Sequence, residues 1–380
     1  MNIFFKATFF AFLCLIVVSC SKSDSSSAVN APLRDYTVQY TQDISDIETY
    51  MKTHYMEVID NPGASNDLDV TYFKMPSNGS KISIWDQTKY PKHERYVWKN
   101  NVKYTIYYIE LRQGTGASPC NVDKVLTSYR GEYIYPYTEK VGNVDVTTPQ
   151  SLFFEESINP QSAFSLTDVI TGWSEIFPQF KTGSYTDIPG EPALYSGFGA
   201  GVLFIPSGLA YYNVAKSTIL AYSPLIFSFK LYAIERTDQD GDGIPSYLED
   251  IGASPNDPNR PALGEPGYDE YVTTPDGYVR VLSYTDKDHN NAIPADVIFN
   301  SDGTTTIFNP DNSDWKVVKL PDGRDSQVDK KPDFADFDDD GDYFTTASEI
   351  KNPATGLPFS FNDIPTCDDG KKKHLSVSCH

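Results

Sequence analysis

A chain of 380 residues has room for two or three domains, and 39% hydrophobic residues with 22% charged ones can build a core, which argues against global disorder. The net charge of −21 argues against nucleic acid as a partner, because no basic patch compensates the repulsion of phosphates. The charge is uneven: residues 237–380 hold 29 Asp and Glu against 12 Lys and Arg and carry −17 of the −21. Carboxylates so clustered can attract cations or serve only as a soluble acidic tail.

The N-terminus reads as a targeting segment. The stretch from Ile3 to Val18 is apolar apart from Lys6, too short for a confident spanning helix but suited to a signal h-region. It ends in Val17-Val18-Ser19-Cys20, which resembles the bacterial lipobox. That resemblance implies cleavage before Cys20 and a diacylglycerol on its sulfur; an ordinary secretory signal with an incidental cysteine is the alternative. The expected order is a lipoprotein signal peptide (1–19), the lipidated Cys20 with a flexible tether (20–36, Ser-rich over 21–27), a helical and loop segment (37–96), a β-rich domain (97–236) and an acidic region (237–380). The resemblance places the protein at the cell envelope, anchored in a bilayer through Cys20, on an outer membrane facing the periplasm or the surface. Of the five cysteines, Cys14 leaves with the signal. Cys367 and Cys379 are close in sequence and are taken as a disulfide, with Cys120 left free, although three cysteines allow three single pairings.

Residues 43–57 read as a helix, with Ile44, Ile47, Met51 and Tyr55 at helical spacing and Asp43 or Ser45 as cap. Residues 60–95 read as loops with short strands, and His54 and His93 as surface residues. Strands are expected over 102–111, 125–134, 152–154, 163–166, 202–205 and 225–234, with Gly131 at a bulge or close backbone approach. A helix is expected over 168–180. Many antiparallel strands with one helix make an α+β unit. Beyond residue 251 the periodicity fades, with short strands expected at 278–282, 297–299 and 315–320.

Five pieces in order carry a second resemblance. They are Ser-Tyr129-Arg-Gly, Phe-Phe154-Glu155-Glu-Ser, Phe164-Ser-Leu-Thr-Asp-Val169-Ile170-Thr-Gly-Trp173, Ile-Pro-Ser-Gly-Leu-Ala-Tyr211, and Ile219 followed by Pro-Leu-Ile-Phe227. At this spacing residues 97–236 resemble the FKBP-type peptidyl-prolyl isomerases. The resemblance implies an antiparallel sheet wrapped on a short helix, Trp173 as the floor of an apolar pocket, and Tyr129, Phe154, Val169, Ile219 and Phe227 as walls. Phe164 belongs to the same set. The Ile170 backbone N–H and the Tyr211 hydroxyl would hold the substrate carbonyl, and Glu155 stands where the family has Asp. Tyr212 replaces a glycine, Ile219-Leu220-Ala221 replaces an Ile-Pro-Pro turn, and residues 184–199 are an insertion; all three are expected to alter the pocket rim.

Asp238-Gln-Asp240-Gly-Asp242-Gly243-Ile244 with Glu249 at position 12 fits an EF-hand-type calcium loop, in which Ile244 contributes its carbonyl. Pro245 follows at once, so flanking helices are not evident, and the pattern resembles thrombospondin type 3-like repeats, whose ions are usually structural. Asp338, Asp340 and Asp342, with Phe344 and Glu349, repeat the pattern with Tyr343 at the glycine position, a costly residue if φ there is positive. The resulting expectation is an isomerase acting on proline-containing polypeptide clients, with structural Ca²⁺ in a loop-rich acidic C-terminal module. A non-catalytic chaperone on the same fold, or a calcium-dependent structural or adhesive lipoprotein, are the alternatives.

Overall fold

The computed structural model describes residues 33–100, 102–186, 193–249, short strands between 271 and 332, and 337–379 apart from 340–342, 369, 371, 377 and 378. The signal segment with Cys14 and Cys20 lies outside the described residues. One compact unit spans residues 35–380. No described helix is long and apolar enough to cross a membrane.

Helix α1 (Tyr36–Thr53) opens the unit. Asp35 caps it, accepting from the Thr37 and Val38 amides at 2.9 and 3.0 Å. Its start therefore lies before Asp43 and Ser45, the two cap candidates of the sequence, which both sit inside the helix. Ile47, Tyr50 and Met51 form its fully buried stripe. The expected last turn is absent. Residues 54–58 pair as β1 (His54–Val58) with β2 (Val70–Lys74), with Tyr55 opposite Phe73. Strand pairing between distant residues has overridden helical spacing there. His54 is buried rather than on the surface, stacked on Tyr50 at 3.9 Å. His93 is half-buried, stacked on Tyr108 at 4.9 Å.

The centre is a seven-stranded antiparallel sheet. Its strands are β3 (Lys92–Lys99), β4 (Val102–Arg112), β5 (Lys124–Val141), β6 (Val144–Ser157), β7 (Phe164–Ser165), β10 (Gly199–Ile205) and β11 (Leu225–Glu235). The order is β3-β4-β10-β11-β5-β6, with β7 also on β5. Alternation along the strands builds two cores. Leu203, Ile205, Leu225, Phe227 and Phe229 pack on one face with Trp173, Phe177 and Phe180. Val202, Phe204 and Ile226 pack on the other with Ile47, Tyr50 and Met51. With both faces covered, these strands read as near-continuous apolar runs.

The helix expected over 168–180 is α2 (Thr171–Ile176) followed by a 3₁₀ turn (Phe177–Gln179). Ile170 is still extended, and Pro178 lacks the N–H that an α-helical ladder would need. The strands expected over 125–134 and 152–154 are longer, joined by a tight turn at Gly142, whose φ of 66° suits glycine. The insertion forms the hairpin β8 (Ser184–Thr186) and β9 (Leu194–Ser196). It packs through Tyr195 on Tyr232, 4.4 Å between rings. The described part of the insertion thus sits on β11 five residues beyond Phe227.

In the C-terminal region β12 (Tyr271–Thr274) pairs with β13 (Gly277–Arg280). Strands β14 (Tyr284–Asp286) and β18 (Val328–Pro332) form another pair. Strands β15 (Val297–Phe299), β16 (Thr305–Ile307) and β17 (Lys316–Val318) form a three-stranded sheet. Ile244 and Leu248 share a small core with Ile350 and Ile364, uniting the helical turns α3 (Ser246–Glu249) and α4 (Thr346–Glu349). Cys367 and Cys379 form a disulfide, and Cys120 is in no disulfide among the described residues.

Candidate functional site

Trp173, on α2, is 5% exposed and ringed by aromatics. Its ring meets Tyr129 at 5.0 Å, Phe227 at 5.1 Å, Phe177 at 5.2 Å and Phe164 at 5.8 Å, all edge-on. Phe154 closes on Phe227 at 5.6 Å. Edge-to-face pairs favour a fixed angular arrangement over free rearrangement. Trp173, Ile219 and Phe227 are buried, whereas Tyr129, Phe154, Phe164, Val169, Ile170 and Tyr211 are half-buried. The side chains expected to wall the pocket therefore belong to one apolar cluster, the basin, with Trp173, Ile219 and Phe227 as buried members and the others partly exposed. The Trp173 indole N–H is buried without an acceptor among the described residues.

Local backbone rules set this arrangement. At Gly131 the β5–β6 register shifts, as a bulge requires. A Cβ there would lie 2.4 Å from the Phe154 ring tip, so only glycine lets that ring lie on the strand. Glu155, one methylene longer than the expected Asp, still reaches Tyr129, whose hydroxyl donates to Oε1 at 2.9 Å.

Two donors border the basin. Ile170 stands just before α2, its carbonyl accepting from the Trp173 amide at 2.9 Å, while its own N–H makes no hydrogen bond among the described residues. The Tyr211 hydroxyl likewise has no hydrogen-bond partner among the described residues, and burial, then the Glu155 carboxylate, raise its pKa. Tyr211 thus stays protonated and available to donate. It lies on a flap (residues 206–224) rooted in the 3₁₀ turn Ser207–Leu209. Ile219 closes a tight turn without proline, exchanging two hydrogen bonds with Lys216 at 2.8 and 3.1 Å. Tyr212, where the resemblance expects a glycine, has a left-handed backbone with φ 51°. That conformation costs a non-glycine residue roughly 1–2 kcal/mol, and stacking on Tyr36 at 4.3 Å offsets part of it.

The first acidic loop gathers carboxylate oxygens of Asp238, Asp240 and Asp242 within 4.8 Å of one another. Burial, then Asp242, raise Asp240 to about 7. The described residues of the second loop repeat two of the hydrogen bonds of the first. Asp238 accepts from the Gly243 amide at 3.0 Å and Asp338 from the Tyr343 amide at 3.1 Å. The Gln239 amide donates to Ser246 Oγ at 2.9 Å and the Asp339 amide to Thr346 Oγ1 at 3.2 Å. Gly243 (φ 104°) and Tyr343 (φ 77°) are both left-handed, so Tyr343 bears the backbone cost expected for that position. Glu349 is buried and Phe344 is 50% exposed. Asp340, Asp342 and the Glu249 side chain lie outside the described residues.

Sequence reasoning missed several supporting residues: Tyr36, Gln39 and Asp43 against the flap, and Arg95 against Glu175 on α2. An acidic residue at position 43, in line with the helix's buried face, was the available signal; its partner was not.

Residues 239–374 match the family described as BamM C-terminal. The FKBP-type peptidyl-prolyl cis-trans isomerase FkpA of Aeromonas hydrophila is 29% identical over 149 residues, 38% of this chain. The chain spans only 44% of the length of that relative. A peptidyl-prolyl cis-trans isomerase structure from Pseudomonas syringae pv. tomato aligns with 34% of this chain and 76% of its own, at 26% identity and a TM-score of 0.25. FkpA from Escherichia coli aligns with 34% of this chain and 48% of its own, at 23% identity and a TM-score of 0.21.

Proposed function

We propose that this chain is an FKBP-type peptidyl-prolyl isomerase of the cell envelope, acting on proline-containing segments of other proteins. The observation that carries the reading is the aromatic basin on Trp173, bordered by two donors, the Ile170 N–H and the Tyr211 hydroxyl, that have no acceptors among the described residues. The similarity to an isomerase over 38% of the chain supports it. An X-Pro amide resists rotation through C–N double-bond character, with a barrier of about 18–20 kcal/mol. An apolar basin that receives the proline ring strips water from the planar, polar ground state and favours the twisted amide. Tyr211 and the Ile170 amide hold the preceding carbonyl, so rotation occurs about one bond of an oriented substrate. Tyr129, tied to Glu155, fixes one wall. No nucleophile or general base is required.

The envelope assignment rests on residues 3–20, with Cys20 as the lipid-bearing residue. For the C-terminal module we propose a structural Ca²⁺ held by Asp238, Asp240 and Asp242 with the Ile244 carbonyl and Glu249, and a second by Asp338, Asp340, Asp342, the Phe344 carbonyl and Glu349. The proximity of three carboxylates in the first loop and the raised Asp240 suit a divalent cation, which would neutralise their mutual repulsion.

The test is cis-to-trans isomerisation of a proline peptide by the soluble form (residues 21–380), with calcium and then with chelator. Acceleration that Phe227→Ala abolishes and Tyr211→Phe lowers is the expected result. A folded protein that binds unfolded clients without accelerating the reaction would make this a holding domain on the same scaffold.

A further inference from the structure

The flap that carries Tyr211 is rooted in Ser207, whose carbonyl accepts from the Ala210 and Tyr212 amides, each at 3.0 Å. Ser207 is fully buried, and an element outside the span 97–236 holds it. Its amide and its hydroxyl both donate to one oxygen of Asp43, at 2.7 and 2.6 Å. Asp43 lies on α1, 164 residues earlier in the chain, and is 1% exposed. Its other oxygen accepts from Gln39 Nε2 at 2.6 Å. The same Gln39 amide donates to the Tyr222 carbonyl, at the far end of the flap, at 3.3 Å. Tyr36, in the first turn of α1, stacks on Tyr212 at 4.3 Å with ring planes 17° apart. One turn on, Tyr40 packs edge-on against Tyr104, and Tyr104 lies so close to Gly208 that a Cβ there would overlap it.

The root, the middle and the end of the flap thus each meet α1, and Tyr211 adjoins one of the touched residues. A buried carboxylate is an expensive way to pack a helix on a sheet, and an apolar side chain would serve that purpose better. Burial raises Asp43 to about 6, which marks the cost of keeping it there. What the carboxylate adds is two directed bonds to the flap root.

We propose that α1 is a clamp on the flap, with Asp43 and Tyr36 as positioning residues for the Tyr211 hydroxyl. The functional unit then begins at Asp35, and the substrate-carbonyl contact depends on a segment that precedes the isomerase-like span. The proposal rests on the isomerase reading for the role of Tyr211 but not for the clamp.

The experiment uses the soluble form with Asp43→Ala, Asp43→Asn, Tyr36→Ala and, as control, Val38→Ser on the exposed side of the same helix. Two quantities are read: amide hydrogen exchange over 207–223, and kcat and KM on a proline peptide. Asp43→Ala should accelerate exchange at Ala210, Tyr212 and Tyr222 by about tenfold, the effect of removing a charge-assisted bond. Amides of β4 and β10 should stay protected. KM should rise about threefold or more as the competent flap becomes less populated, with kcat nearly kept. Asp43→Asn, which retains an acceptor for Ser207, should restore both. Tyr36→Ala removes only the stack and covers the case in which Asp43→Ala fails to fold. Flap exchange unchanged in Tyr36→Ala and in folded Asp43→Ala would overturn the clamp. Faster exchange with unchanged KM would overturn the positioning role. If the wild type shows no isomerisation, the isomerase reading and the positioning role fall together, while the exchange data alone decide the clamp.

Discussion

Helix α2 holds Trp173 at the bottom of the basin, yet it is six residues long and has no side-chain cap. Part of what holds it is an ion pair with both side chains nearly buried, Arg95 on β3 and Glu175 on α2, at 4% and 7% exposure with Nε to Oε2 at 3.3 Å. Replacing Arg95 by Met keeps the volume and removes the charge, leaving a carboxylate away from water. Breaking one side of such a pair costs about 3–5 kcal/mol. Lys99, bound to Thr171 Oγ1 at 2.6 Å, lies close enough to feel Glu175 and keeps the estimate near the lower end. A loss of about 3 kcal/mol lowers Tm on the order of 10 °C. The assay is thermal and urea unfolding of wild type, Arg95→Met and Arg95→Met/Glu175→Leu. The double variant should recover to within about 1 kcal/mol of wild type, because an apolar pair needs no desolvation. A single variant within about 1 kcal/mol of wild type would refute the reasoning.

Gly131→Ala should displace the Phe154 ring, lowering kcat/KM by about tenfold while costing only about 1–2 kcal/mol of stability; equal activity would show that Phe154 is not a wall. For pH, Asp43 has its folded pKa raised to about 6, so its contribution is greatest below the unfolded value near 3.8 and is lost as pH rises through 6. Wild type should therefore gain about 1 kcal/mol over Asp43→Asn between pH 7 and pH 5, read from urea midpoints; a flat difference counts against that burial. Chelation should lower the melting temperature of the C-terminal region, since ligand at a hundredfold its Kd contributes about 2.7 kcal/mol. Asp240→Asn in calcium should reproduce part of that loss, and identical melting with and without chelator would remove the ion from the account.

Much of the sheet was legible because alternation survives translation into strands: β4 and β11 fall within about a residue of their expected bounds. The aromatic set came from the family resemblance of residues 97–236, and the structure brings its rings into contact around Trp173 and Phe227. The end of α1 was not, because the pairing of Tyr55 with Phe73 joins residues that no local pattern connects. The length of α2 was also overread, since its apolar spacing continues through Phe177 while Pro178 interrupts the ladder. The insertion, expected to alter the pocket rim, packs where described on Tyr232.

The sequence alone determined the alternating strands of the sheet, and it laid out the aromatic set in order and the acidic positions repeated a hundred residues apart. The strands and the acidic loops follow from local spacing, because strand alternation and loop geometry are periodic along the chain, whereas the aromatic set is what the family resemblance implies. The tertiary structure decided which buried surfaces meet. The Asp43–Ser207 bonds, the Arg95–Glu175 pair and the Tyr36–Tyr212 stack join residues far apart in sequence. A polar residue in a buried stripe announces that it needs a partner, but the identity of that partner depends on how the layers pack.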